Sequence, residues 1–252
     1  MVDHDTGRLV WAAPGRDTAT LQRFFDALGE ERCALITHVS ADAAEWIAKV
    51  VAANCPQAVR CADPFHVVRV ANRCLDQVRR RVQNQTLGHR GRRRDPLYRI
   101  RKLMLTGTER LEGPGLERML LGLQVGDPDQ EVLGAWVAKE SVRDVYLAEK
   151  AVDAALLLDK TIEGCRADEV PEIRSLGRTL ARWRAEILAH HATGASNGPT
   201  EGLNLLVKKV KRAGHGFRSF ANYRLRILLH AGGVNWPAQR PPAPRIRTRS
   251  PQ

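Results

Sequence analysis

The chain has 252 residues, with 40 Lys and Arg against 28 Asp and Glu, and a formal net charge of +12. This length suffices for one sizeable hydrophobic core, and no apolar run approaches the roughly 18 residues that span a bilayer. No basic amphipathic helix has the bulky aromatic face of a membrane-surface protein, so we expect no membrane partner. Five scattered cysteines without a C-x-x-C pair are typical of reduced thiols, so we expect a cytoplasmic protein.

The positive charge is concentrated toward the C-terminal end. Residues 201–252 carry 11 Lys and Arg but a single acid, Glu201, whereas residues 1–66 have a net charge of −3. A strongly cationic surface attracts polyanions, which makes nucleic acid the first candidate partner. A basic surface that is merely solvated is the alternative.

Strands and helices alternate over the first 66 residues. Two amphipathic helices are predicted in TATLQRFFDALGEE (18–31) and AAEWIAKVVAANCP (43–56). Strands are predicted in GRLVWAA (7–13) after the turn DHDTG, in CALITHVSAD, where the strand ends at Ser40–Asp42, and in AVRCADPFHVV, where it ends at Asp63–Pro64. This alternation predicts an α/β layer with parallel strand pairing.

Beyond Val67 the pattern becomes helical alone, up to about His191. Long helical periodicity occupies residues 66–86, 131–162 (one or two helices) and 171–191 (one helix), and LGHRGRRRDP (87–96) is a basic loop. From Trp236 onward the chain is rich in Pro and Arg, which predicts a disordered basic tail.

Asp42 and Asp63 each follow a predicted strand and precede a helix. Ligands bind at this edge of open α/β sheets, and carboxylates there can chelate Mg²⁺. Two such ions would activate a nucleophile and stabilise the leaving oxygen in phosphodiester displacement. The alternative is that each Asp caps a helix, and DPFH (63–66) suits a capping Asp with Pro at the first helical position.

Glu201 lies in the first turn of a predicted helix that follows the start signal SNGP, with Ser196 or Asn197 as the capping residue. On a helical wheel Glu201, Asn204, Lys208 and Lys211 share one polar stripe, opposite the leucines and valines. Either Glu201 is a metal ligand, or it is an acid that stabilises the positive end of the helix.

Three segments carry a resemblance to a known family. CADPFHVVRVANRCLDQVRRR (61–81), LGHRGRRRDPLYRIRKLML (87–105) and the stretch from SNGPTEGLNLLVKKVK (196–211) to about residue 230 resemble the bacterial insertion-sequence transposases of the ISL-three group. The resemblance implies a DDE-type DNA transposase with an RNase H-like mixed sheet and an all-α insertion. It also implies metal-dependent DNA cleavage and transfer with Mg²⁺ or Mn²⁺, at the ends of the insertion sequence.

The family's functional positions map onto this sequence by motif. The resemblance makes Asp42, Asp63 and Glu201 the catalytic acids, with Asp42 and Glu201 as metal ligands, and it makes His66 and Asn204 supporting residues. The residues expected to contact DNA are Arg90, Arg92, Arg93, Arg94, Lys208, Lys209, Lys211 and Arg212.

The chain departs from the family pattern at its beginning. The family carries its first acid on a strand that precedes the hairpin, and Asp3 and Asp5 sit in a turn instead. We therefore expect a truncated transposase that lacks the first strand of the sheet. The expected parts are residues 1–66 (α/β), 67–195 (helical insertion), 196–235 (final helices) and 236–252 (tail).

Two hypotheses follow from the sequence. The first is a transposase domain with enzymatic activity. The second is a catalytically inactive remnant that binds DNA or a full-length transposase. A homo-oligomer is a further candidate assembly.

Overall fold

The computed structural model describes residues 1–41, 44–195 and 197–233. Asp42, Ser196 and the expected tail, residues 236–252, lie outside these residues. The chain divides into two units, Arg16–Asn197 and a smaller one formed by Met1–Gly15 with the residues from Gly198 onward. No helix within the described ranges is both long enough and apolar enough to cross a membrane.

The smaller unit begins with a two-stranded hairpin. Strands β1 (Val2–Asp3) and β2 (Arg8–Leu9) pair antiparallel, with Val2 opposite Leu9. The Asp3 carboxylate stabilises the turn, because it accepts hydrogen bonds from the Thr6 hydroxyl at 2.6 Å and from the Asp5 N–H at 3.0 Å. The predicted strand after the DHDTG turn is therefore confirmed, although it is shorter than expected.

Two C-terminal helices complete this unit, α11 (Gly198–Ala213) and α12 (Phe220–Ala231). Buried side chains of both helices pack with the hairpin in a small core formed by Leu9, Val210, Ile227 and Ala231. Pro199 lies in the first turn of α11, as predicted. The apolar face of α11 thus packs against the small core of the smaller unit.

The larger unit opens with the predicted α/β alternation. Its helices here are α1 (Thr18–Leu28), α2 (Glu30–Cys33) and α3 (Glu45–Asn54). Strands β3 (His38–Ala41) and β4 (Val59–Ala62) pair in parallel, with Ser40 opposite Cys61. Parallel pairing is therefore confirmed, but the strand predicted from Cys33 begins five residues later. Cys33 instead closes a helical turn, since its N–H donates to the carbonyl of Gly29 at 3.0 Å.

The rest of the larger unit is helical. Its helices are α4 (Pro64–Leu87), α5 (Pro96–Leu105), α6 (Gly113–Gly126), α7 (Glu131–Leu147), α8 (Ala151–Ala167), α9 (Pro171–Arg182) and α10 (Arg184–Thr193). A short 3₁₀ turn, Thr108–Arg110, joins α5 to α6. The single helix predicted over residues 171–191 is wrong. It is interrupted at Trp183, whose backbone φ and ψ of −97° and 10° leave the helical range.

One continuous core holds these helices together. The inner face of α4 supplies Val67, Ala71, Leu75, Val78 and Val82, all at most 5% exposed. Their spacing of three or four residues places them on one stripe of the helix, and burying each of the larger side chains stabilises the fold by roughly 1.5–3 kcal/mol. The described chain is thus mostly helical with a small parallel sheet, in keeping with the α/β class.

Candidate metal and nucleic-acid sites

Asp63 follows β4 directly and caps α4. Its backbone is extended, with φ −66° and ψ 125°, and its Oδ2 accepts the N–H of His66 at 3.3 Å, with Pro64 at the first helical position. The capping role considered from DPFH is therefore confirmed. Asp63 is only 5% exposed.

The second carboxylate oxygen of Asp63 is also engaged. Oδ1 accepts the backbone N–H of Asn197 at 3.2 Å. The side chain of Asn197 in turn accepts a hydrogen bond from the Ser40 hydroxyl, with 2.9 Å between Ser40 Oγ and Asn197 Oδ1. Asn197 therefore contacts the ends of both parallel strands. Ser40 and Asn197 were not among the predicted site residues, although Asn197 belongs to the SNGPTEGLN motif.

Aromatic and imidazole rings lie close to Asp63. Tyr146 stacks on His191, with ring centroids 5.8 Å apart, and burial, followed by the negative charge of Asp63, raises the pKa of Tyr146. His66 Nδ1 lies 4.0 Å from Asp63 Oδ2, and His66 also contacts Arg69. The predicted supporting residue His66 is thus next to Asp63.

Asp42 lies outside the described residues, but the residues on either side of the gap, Ala41 and Ala44, are described. Ala41 ends β3, and Ala44 precedes α3. Both line a cavity of about 510 Å³ along the two-stranded sheet, which also borders the ion pair between Arg60 and Glu186. Ala41 and Ala44 therefore border an open space.

Glu201 sits on the exposed side of α11. Glu201, Asn204, Lys208 and Lys211 are all exposed, while Val210 is buried and Leu203, Leu206 and Val207 pack against the small core. The predicted polar stripe is therefore confirmed. No described residue donates a hydrogen bond to the Glu201 carboxylate, in contrast to Asp63.

Within residues 1–41, 44–195 and 197–233, no group of three or more His, Cys, Asp or Glu is arranged to hold a metal ion. Since Asp42 is outside these ranges, its part in the predicted acid set stays a prediction.

The basic loop between α4 and α5 has a defined shape. The Asp95 carboxylate accepts the N–H of Arg92 and lies 3.4 Å from His89 Nδ1. Gly91 adopts φ +114°, and a Cβ added there would meet the Gln83 amide at 2.7 Å, so only glycine suits this position. The predicted cations of the loop are all exposed, namely Arg90, Arg92, Arg93 and Arg94.

The cationic surface of the loop continues onto α5. Arg99 and Lys102 are exposed, and Tyr98 is 40% exposed with the Arg101 guanidinium 6.0 Å from its ring centroid. These residues were not predicted. Their signal in the sequence is the run RRRDPLYRIRK, in which cations surround one tyrosine.

The comparison with known families agrees with these motifs. A family model described as "Transposase", of the ISL3 (ISL-three) group, matches residues 1–227. The chain belongs to the ISL3 group of transposases. The matched residues include the β4–α4 corner, the basic loop and α11.

Named relatives are transposases of insertion sequences. The chain is 40% identical over 250 residues to "Transposase for insertion sequence element IS1557" from two strains of Mycobacterium tuberculosis, covering 92% of this chain and 56% of that protein. It is 25% identical over 228 residues to the IS1001 transposase of Bordetella parapertussis, covering 90% and 55%. The chain thus spans about half the length of these relatives. No solved structure matches it.

Proposed function

We propose that this chain is the catalytic region of a DDE-type DNA transposase, with an RNase H-like mixed sheet interrupted by the helical insertion of residues 67–195. It would cleave and transfer DNA strands at the ends of an insertion sequence. The observation that carries the proposal is Glu201, a carboxylate free of hydrogen bonds from described residues on the exposed cationic stripe of a transposase-family helix.

The donor chemistry fits a divalent ion. Asp42 and Glu201 offer carboxylate oxygens, the ligands that Mg²⁺ and Mn²⁺ prefer. Among the residues that the structure describes, none would have to release a hydrogen bond to Glu201 for an ion to bind. When bound, the metal would lower the pKa of an attacking water or hydroxyl and neutralise charge on the phosphate. The protein itself would hold the two carboxylates in position for the metal.

Two exposed cationic surfaces support DNA as the partner. On α11, Lys208, Lys209, Lys211 and Arg212 are all exposed, with Asn204 beside them as a hydrogen-bonding amide. In the larger unit, the arginines of the basic loop form no ion pair with a carboxylate of the described residues. Unpaired guanidinium and ammonium groups are available for phosphates.

An inactive remnant that binds DNA or a full-length transposase is the second candidate. It is favoured by the state of Asp63, whose two oxygens are already hydrogen-bonded within the fold. Under both candidates we place the protein in the cytoplasm with the DNA, and self-association is the natural way to bring two element ends together.

Nicking of supercoiled plasmid in Mn²⁺ separates the two candidates. The natural chain and Glu201→Gln are compared, with Glu163→Gln on the exposed face of α8 as the matched control. Nicking lost only in Glu201→Gln supports the enzyme. A gel shift of DNA by all three proteins, with no nicking by any, supports the binding remnant instead.

A further inference from the structure

We propose that Asp63 and Asn197 form a hydrogen-bonded lock that fixes the chain just ahead of α11, so that Asp63 acts as a positioning residue and does not bind metal. This assignment rests on the proposed function for its catalytic consequence. The lock consists of Asp63, Asn197 and Ser40, all within the larger unit.

The geometry divides the Asp63 carboxylate between two tasks. Oδ2 accepts the N–H of His66 at 3.3 Å and starts α4, while Oδ1 accepts the N–H of Asn197, 134 residues further along the chain, at 3.2 Å. A carboxylate that accepts two backbone N–H groups is held in one orientation. The side chain therefore joins a helix start to a distant segment.

A second bond makes the attachment specific to Asn197. Ser40 donates its hydroxyl hydrogen to Asn197 Oδ1, with 2.9 Å between the oxygens. Ser40 lies on β3 and Asp63 directly follows β4, and the two strands pair in parallel. Asn197 is thus bound through both its backbone N–H and its side-chain oxygen, which fixes the position of its backbone and the orientation of its side chain.

The surroundings of Asp63 disfavour direct metal binding. Asp63 is 5% exposed, and a metal ion would have to displace an N–H donor from a buried oxygen, leaving that donor unsatisfied. Among the described residues no further acid, cysteine or histidine completes a three-ligand group around it. The neighbouring His66 instead lies with its Nδ1 4.0 Å from the Asp63 carboxylate.

The position of the lock in the chain gives it a role in catalysis. Asn197 precedes Glu201 by four residues, so the lock fixes the backbone at a position close in sequence to the candidate ligand. Residues that orient metal ligands typically change metal affinity or activity by about 10–100-fold when they are removed. Loss of the lock should therefore weaken Mn²⁺ binding by roughly 10-fold without removing a ligand.

Two measurements on the intact chain test the lock. Amide hydrogen exchange at Asn197 is followed by NMR, and Mn²⁺ binding is followed by electron paramagnetic resonance. The variants are Asp63→Ala, Asp63→Asn, Ser40→Ala and Glu201→Gln, with Glu163→Gln as the control. Thermal unfolding of each variant records its global stability.

We expect Asn197 to exchange slowly in the natural chain and rapidly in Asp63→Ala. Asp63→Asn keeps one carbonyl oxygen, which can accept the N–H of Asn197 or that of His66 but not both. It should therefore give an exchange rate at Asn197 and a Mn²⁺ affinity between those of the natural chain and Asp63→Ala. Ser40→Ala should weaken Mn²⁺ binding a few-fold with only a small fall in melting temperature, a combination that a purely structural helix cap would not cause. Glu201→Gln should abolish binding and leave the exchange at Asn197 slow.

The opposite results overturn the lock. They are fast exchange at Asn197 in the natural chain, slow exchange in a folded Asp63→Ala variant, or complete loss of Mn²⁺ binding in Asp63→Asn with unchanged exchange. If the natural chain binds no Mn²⁺, the proposed metal site fails, but the exchange measurement still decides whether the lock exists.

Discussion

Arg81 on α4 forms a two-point ion pair with Glu172 on α9. Arg81 Nε lies 2.7 Å from Glu172 Oε1, and Nη2 lies 3.0 Å from Oε2. The remaining Arg81 nitrogen, Nη1, donates to Glu131 on α7 at 2.9 Å. One guanidinium thus connects three helices of the larger unit, and it holds the pKa of Glu172 below its ordinary value.

Replacing Glu172 with Gln should therefore destabilise the protein in a pH-dependent way. A carboxyl with a lowered folded-state pKa stabilises above its unfolded pKa, about 4.5, and that stability is lost as pH falls through the folded-state pKa. We expect the free energy of unfolding of Glu172→Gln to be about 1–2 kcal/mol below that of the natural chain at pH 7. In acid this difference should not grow further. Urea unfolding measures this, and an equal loss in the exposed Glu163→Gln would contradict it.

Two helical glycines should respond oppositely to alanine. A Cβ on Gly177 of α9 would lie 2.9 Å from Cys165 Cβ and 3.0 Å from the Arg166 backbone nitrogen on α8, whereas a Cβ on Gly164 meets nothing within 4 Å. Gly177→Ala should lower the free energy of unfolding by about 1–3 kcal/mol because the core becomes overpacked. Gly164→Ala should raise it by up to about 1 kcal/mol because alanine has the higher helix propensity. Thermal unfolding compares them, and a stabilised Gly177→Ala would show that α8 and α9 can separate freely.

The pair His190–His191 should make the larger unit sensitive to mild acid. Burial, with a smaller contribution from His190, lowers the pKa of His191 below 6.5. The unfolded chain then binds the proton first, so stability is full above pH 6.5 and falls as pH drops below it, by at most about 1.4 kcal/mol per pH unit for this group.

His191→Phe tests this because it keeps a ring against Tyr146 but cannot be protonated. Between pH 7.5 and 5.5 the free energy of unfolding should fall less in this variant than in the natural chain. His38→Gln, at an exposed position, should leave the pH dependence as it is. An identical slope in all three proteins would assign the acid sensitivity to other groups.

The basic loop should contribute to DNA affinity by neutralising phosphates. The double variant Arg93→Ala, Arg94→Ala should have a weaker salt dependence of DNA binding. The slope of log binding constant against log salt concentration should become less negative by about 0.9 for each phosphate that the variant no longer neutralises. The control removes the same charge elsewhere, with Arg174→Ala and Arg178→Ala on the exposed side of α9. Fluorescence anisotropy at several salt concentrations measures both slopes, and equal reductions would indicate only a general charge effect.

Local patterns in the sequence predicted much of the larger unit. The repeated apolar positions of α4, such as Val67, Ala71 and Leu75, predicted its buried face because that face depends on helical periodicity alone. The DPFH signal likewise predicted the start of α4 at Pro64. The parallel pairing of β3 and β4 followed from the helix between them.

Other features depend on contacts that periodicity does not contain. The break at Trp183 lies inside an uninterrupted helical pattern, since no Gly or Pro marks it. A lysine in a helical pattern is normally exposed, but Lys139 is fully buried. Its burial is tolerated because its ammonium donates hydrogen bonds to the carbonyls of Met104 and Thr106, at 2.8 and 3.1 Å. The bond from Asn197 to Asp63 spans 134 residues, a separation at which composition predicts no partner.

The polar stripe of α11 gives the helix a direction. Glu201 and Lys211 are ten residues apart, which corresponds to about 15 Å along the axis, or about four phosphate spacings of one DNA strand. The stripe begins with an acid and ends with cations, so its two ends are chemically different. Under the proposed function, a DNA strand aligned with the helix would meet the metal-binding end at Glu201 and the phosphate-binding cations about four phosphates away.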